Sequence, residues 1–151
     1  MEKLKRYISD LLKQGLTPKK VALAITGGLV ISTLPLLIIG STTACCLVFS
    51  RLFKLNFGLV QLSNLLAWPL QVLFFIPFLR VAEAIFKFPP IISDYTNIIH
   101  LFKTDFWGTS KQLGLLNLAA VGIWCVFSLA VGSLLYHFVL YIVKNKESVE
   151  Q

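Results

Sequence analysis

The stretch VALAITGGLVISTLPLLIIGSTTACCLVFS, residues 21–50, holds no charged side chain and carries a proline near its middle. As one helix it would run about 45 Å, against a hydrocarbon core of about 30 Å. It is too long for a plain upright span, so it tilts, leaves the membrane or breaks. Pro35 removes a backbone donor and crowds the turn before it; Gly27 and Gly28 precede it and Gly40 follows, and together these mark a break. Carbonyls around Ile31 then need partners other than helical ones. A break of that kind is tolerated when buried in protein or lining a polar cavity, and Ser41, Thr42 and Thr43 supply hydroxyls just beyond it.

Two further stretches lack charge. Residues 55–79 contain Pro69 and Pro77, which predict a second broken or re-entrant hairpin by the same argument. Asn56, Gln61, Asn64 and Gln71 interrupt the apolar residues there, and amides in lipid seek partners, so they are expected to face inward in a polar network. Residues 113–143 form the cleanest transmembrane candidate, with Thr109 and Gln112 as a capping box before it. Ala24, Gly28 and Ser32 recur every four residues, and Ser128 and Gly132 repeat that spacing, giving small-residue faces for close helix packing.

Outward from these stretches the chain reads as five segments. Residues 1–15 make an amphipathic surface helix, with Leu4, Ile8, Leu11 and Leu12 on its apolar face. Gly15 caps it, Thr17 caps the next helix and Pro18 takes the first helical position. Residues 16–87 hold the two proline-interrupted stretches. Residues 88–112 form an interfacial helix after Pro89 and Pro90, with Tyr95, Ile98, Ile99, Phe102, Phe106 and Trp107. Residues 113–143 span the membrane and 144–151 form a polar tail. The fold class expected is therefore all-α integral membrane, with two broken or re-entrant hairpins, one full transmembrane helix and amphipathic interfacial helices.

With 56% hydrophobic and 14% charged residues, a mean hydropathy of +0.78 and 151 residues, the chain fits one membrane domain. Net charge is +7, but Lys3, Lys5, Arg6, Lys13, Lys19 and Lys20 all precede the first apolar stretch. Membrane orientation explains that bias better than nucleic acid does, and it predicts an inner-membrane, multi-pass protein with a cytoplasmic N-terminus. Three full crossings put Arg51 and Lys54 outside. Two re-entrant hairpins keep every basic residue except Lys144 and Lys146 inside, which satisfies the charge rule better, and this is the topology expected.

The run Leu16, Thr17, Pro18, Lys19, Lys20, the glycine pair, Pro35, Gly40 to Thr43, Arg51, Asn56, Gln61, Asn64, Pro69, Leu70, Gln71, Pro77, Arg80 and Glu83 resembles the bacterial membrane family named domain of unknown function 2062. The resemblance covers roughly half the chain. Many members carry Asn before the second-stretch proline, where this chain has Trp68. Some members resemble fusions to glycosyltransferases that use lipid-linked sugars, which points toward polyprenyl phosphate or envelope glycans.

Cys45, Cys46 and Cys125 lie inside apolar stretches with no metal-ligand spacing and read as small hydrophobes. His137 lies in the third stretch, where a hydrogen bond across helices is the role expected. The carboxylates stand outside the apolar stretches and no phosphate-binding glycine loop is present, so neither an enzyme nor a bound cofactor or metal is expected. Two broken helices can offer amide ends to an anion. The candidate substrate-binding set is Ser41, Thr42, Thr43, Asn56, Gln61, Asn64 and Gln71, with Arg51 and Arg80 as charge partners. The function expected is transport or handling of an anionic or lipid-linked substrate. The alternative is a non-transporting scaffold that oligomerises or seats an envelope glycosyltransferase. Membrane lipid and a second copy are the other expected partners.

Overall fold

The computed structural model describes residues 17–36, 40–88 and 95–147, with backbone alone at 95–99, 146 and 147. The expected surface helix over residues 1–15, its Gly15 cap and the Pro89–Pro90 stop lie outside the described residues. Five helices follow one another: α1 (Pro18–Ser32), α2 (Ser41–Leu52), α3 (Phe57–Phe86), α4 (Tyr95–Thr104) and α5 (Phe106–Glu147). Among the described residues there is no strand.

Local chemistry explains most of the helix ends. Pro18 opens α1, where its missing N–H is no loss. The Thr17 carbonyl accepts from the Lys20 and Val21 amides at 2.9 and 3.1 Å, while its hydroxyl makes no capping bond. At the far end the hydroxyls of Ser32 and Thr33 fold back onto the carbonyls of Leu29 (2.6 Å) and Val30 (2.8 Å). Pro35 then stops the helix, as expected. Gly40 begins α2 at φ 83°, a left-handed conformation that glycine adopts without penalty. Asn56 caps α3, its Oδ1 accepting from the Leu59 amide at 3.1 Å.

The packing contacts set the directions. Gly28 lies against the Val60 carbonyl, Ser63 and Asn64, and further along both helices Gln71 reaches Leu34 and Leu36, so α1 and α3 run parallel. Val30 meets Gly132, Thr33 meets Trp124 and Pro35 meets Asn117, so α5 runs antiparallel to both. Gly27 abuts the Phe49 ring while Ile31 shares a groove with Ala44 and Cys45, so α2 returns antiparallel to α1. Two apolar clusters result: one joins Val21, Ile31, Cys46, Leu59, Val60 and Val143, the other Phe78, Leu79, Ala82, Leu116 and Ala120.

Two of these helices, α3 and α5, are long and apolar enough to cross a membrane. Only 28% and 6% of their most apolar windows are buried inside the protein, unlike the core helix of a globular domain, which hides its apolar residues. Helices α1 and α2, with 15 and 12 residues, rise about 22 and 18 Å, short of the ~30 Å hydrocarbon core.

Three expectations are corrected. The second proline-containing stretch does not break, because α3 runs unbroken through Pro69 and Pro77. Buried contacts at Ala67, Gln71, Phe78 and Leu79 hold the turns on either side against α1 and α5, and both rings point to the exposed side. Lys54 and Lys87 therefore stand at opposite ends of one helix, not on one side as two hairpins would place them. Thr109 and Gln112 do not cap the third stretch: its helix begins at Phe106, where Asp105 Oδ1 accepts from the Gly108 amide at 2.9 Å.

The small-residue stripe of α1 is spent within the chain, as expected for helix packing: Ala24, Gly28 and Ser32 are all buried. A side chain at Gly28 would meet the Val60 carbonyl, which is backbone and cannot turn aside. Gly28→Ala is expected to lower stability by about 1–3 kcal/mol, the usual cost of overpacking a tight contact. Gly122→Ala, with nothing within 4 Å of the added carbon, is expected to leave the melting temperature in detergent unchanged or slightly raised.

Candidate functional site

The end of α1 is a polar place in the bundle interior. Ser32, Leu34 and Pro35 are buried there, and because the helix ends at Ser32 the Leu34, Pro35 and Leu36 carbonyls stand outside its ladder. Two amides answer them. Gln71 Nε2 donates to the Leu34 carbonyl at 3.2 Å and the Leu36 carbonyl at 2.8 Å. Asn117 Nδ2 donates to the Pro35 carbonyl at 2.7 Å. A third contact secures the same turn: the Trp124 indole donates to Thr33 Oγ1 at 3.0 Å, and that hydroxyl donates on to Val30. Three consecutive carbonyls are thus held by side chains from α3 and α5.

The proposed site residues distribute unevenly. Gln71 lies at the break, 8% exposed. Gln61 Nε2 donates to Thr43 Oγ1 at 3.2 Å, joining α3 to the first turn of α2. Asn64 is buried beside Gly28. Thr26 Oγ1, Ser41 Oγ, Gln61 Oε1 and Asn64 Oδ1 are buried oxygens with no partner among the described residues. Thr42 is half-buried. Asn56 is exposed and serves as the α3 cap, so it does not join an inward network. Arg51 and Arg80 are exposed and not brought together: Arg80 stands 24 residues along α3 from the Asn56 cap, about 36 Å of helix rise. With α3 unbroken, two facing amide ends are not formed, because only α1 and α2 are interrupted.

Asn117, Trp124 and Asp105 were not among the residues picked out from sequence. Asn117 carried the same signal as Gln71, an amide in an uncharged stretch. His137 is exposed on α5, its ring edge-on to Tyr136 at 5.5 Å, rather than bonded across helices. The three cysteines are free thiols, Cys46 buried and Cys125 exposed.

Two grooves adjoin the break. One, of about 390 Å³, is a shallow apolar trough between α1 and α2 over Ile31, Cys45, Val48 and Phe49. The other, of about 260 Å³ and more enclosed, lies where α1, α3 and α5 meet, walled by Val30, Leu70, Phe74, Phe127 and Val131. Its hydroxyls, Thr33 and Ser128, are already bonded to Val30 and Cys125 carbonyls. Neither groove includes Asn64 or Thr42.

These features define an all-helical protein with two helices able to cross a membrane and a broken helix sealed by side-chain amides. The chain belongs to the family described as an uncharacterized protein conserved in bacteria (DUF2062), which matches residues 1–150. No curated protein and no solved structure matches it.

Replacing Gln71 by Leu takes the side-chain donor from the Leu36 carbonyl and leaves the Leu34 carbonyl to the Leu36 amide, which donates to it at 2.8 Å; a buried group left unpaired costs about 1–3 kcal/mol. Gln71→Leu and Asn117→Leu are therefore expected to lower the thermal midpoint in detergent by several degrees. Leu73→Ala on the exposed face is expected to change it little. Equal small shifts for all three would mean that the amides do not hold the break.

Proposed function

We propose that this is a non-enzymatic inner-membrane protein that handles a lipid-linked anionic substrate, holding its apolar chain in the groove between α1, α3 and α5. The observation that carries the reading is the chemistry of that groove: apolar walls, hydroxyls already engaged, and a position against helices whose outer faces are apolar. Such a surface suits a prenyl or acyl chain and has no free donor for a soluble anion. The break, whose carbonyls are occupied by Gln71 and Asn117, supports a structural role there rather than a conduction path.

In this reading α3 and α5 cross the bilayer, and α1 and α2 form a half-deep hairpin entering and leaving on one side. Lys19, Lys20, Arg51, Lys54 and Lys144 then share that side with the basic residues preceding α1, against Arg80, Lys87, Lys103 and Lys111 on the other, which makes it cytoplasmic. The groove runs from Thr33 back toward Leu29 and Leu135. Lys20 and Lys144 each lie nine residues beyond those positions, about 14 Å of rise, on the side where the phosphate of a chain lying in the groove would emerge.

Lipid mass spectrometry on protein gently extracted from its own membranes tests the substrate. Polyprenyl phosphate is expected to be enriched over bulk lipid, and Val131→Trp, which fills the groove, is expected to reduce it about fivefold or more. Recovery of bulk lipid alone would favour the scaffold reading. Side-specific labelling of single cysteines tests the topology: positions 54 and 146 are expected to react from the cytoplasm and position 87 from outside. Reaction of 54 and 87 from the same side would overturn the arrangement.

A further inference from the structure

The outer face of α3 carries a donor and an acceptor that hydrocarbon cannot satisfy. Trp68 is 60% exposed, as are its neighbours Leu65 (61%) and Val72 (66%). Its indole N–H has no hydrogen-bond partner among the described residues. Pro69, next to it, has no N–H to give to the Leu65 carbonyl one turn back. Tryptophan on a membrane helix belongs at the headgroup level, where its N–H is wet. Here it stands 12 residues from the Asn56 cap and 12 from Arg80, about 18 Å of helix rise each way, which is the middle of the span. No headgroup reaches that depth.

A surface with one donor and one acceptor side by side is complementary to itself. Helical side chains lean toward the helix N-terminus, so the Trp68 indole lies level with the turn of Leu65. We infer that α3 pairs with α3 of a second copy across Leu65, Trp68, Pro69 and Val72, the indole of each copy donating to the Leu65 carbonyl of the other. Two copies inserted in the same sense are related by a two-fold axis along the membrane normal, and both bonds form at once. The groove lined by Leu70 and Phe74 faces the other side of α3, so the pairing leaves it open. The inference rests on α3 crossing a bilayer, which labelling at positions 54 and 87 checks separately.

Photobleaching of singly labelled protein in dilute native-lipid vesicles reads the stoichiometry. Two-step bleaching is expected, and Trp68→Phe, which keeps the ring and removes the donor, is expected to weaken association about three- to tenfold, the range of interhelical hydrogen bonds in membranes. On a background with Cys45, Cys46 and Cys125 replaced by alanine, single cysteines at Leu65 or Val72 are expected to crosslink between copies and one at Leu134 not to; this arm keeps Trp68 and stands even where Trp68→Phe folds poorly. One-step bleaching, a dimer in which neither 65 nor 72 crosslinks, or association unchanged by Trp68→Phe in folded protein would each overturn the pairing.

Discussion

Everything in this bundle turns on three carbonyls that have lost their helix. Leu34, Pro35 and Leu36 lie at an interior break, where each unpaired acceptor costs about 1–3 kcal/mol, and more in hydrocarbon. Gln71 and Asn117 answer them from two different helices. That requirement fixes geometry well beyond the break. Gln71 reaches α1 only if α1 and α3 approach closely, and Gly28 permits this by letting its backbone meet that of Val60. Six residues separate Gly28 from Leu34 and seven separate Asn64 from Gln71, about 9 and 10.5 Å of rise. Two parallel helices can therefore meet both contacts in one register.

The same constraint explains where polarity stops. Once the carbonyls are held, the grooves beside them are left apolar, and the exposed surface of α3 and α5 is dominated by Leu, Val, Ile and Phe. The unpartnered buried oxygens of Thr26, Ser41, Gln61 and Asn64 are exceptions, on helices α1, α2 and α3. Polar side chains in this protein serve its backbone first.

Much of the helical plan was legible in the sequence: the α1 start at Pro18, the interruption at Pro35, the Gly40 restart and the internal use of the Ala24–Gly28–Ser32 stripe. Residue type alone misleads at the second pair of prolines. Pro35 follows Ser32 and Thr33, whose hydroxyls fold onto the preceding carbonyls and compete with the helix. Pro69 is flanked by Leu, Trp and Gln, and the buried side chains of Ala67 and Gln71 brace the turn on either side, so the lost bond does not end the helix. The amides show the same limit. Asn56 and Gln71 look alike in composition, yet one caps a helix in the open and the other closes a break 37 residues away in sequence. Only tertiary distance separates those fates. Asn117 is of the same kind, an amide in an uncharged stretch whose partner, Pro35, is 82 residues distant.

Packing decides which basic residues share an end of the bundle. With α1 parallel to α3 and α5 antiparallel to both, the starts of α1 and α3 and the end of α5 share one end of the bundle, and α2 returns to it because it is antiparallel to α1. Lys19, Lys20, Arg51, Lys54 and Lys144 are thereby gathered together, although they are spread along most of the chain. Had α3 broken at Pro69, Arg80 and Lys87 would have joined them and the opposite end would have lost basic residues. The unbroken α3 holds Arg80 and Lys87 at 24 and 31 residues from its Asn56 cap, about 36 and 46 Å of rise. A helix that stays whole through two prolines thus decides which charges stand at opposite ends of the bundle, and the amide that holds its middle against α1 is one of the two that seal the break.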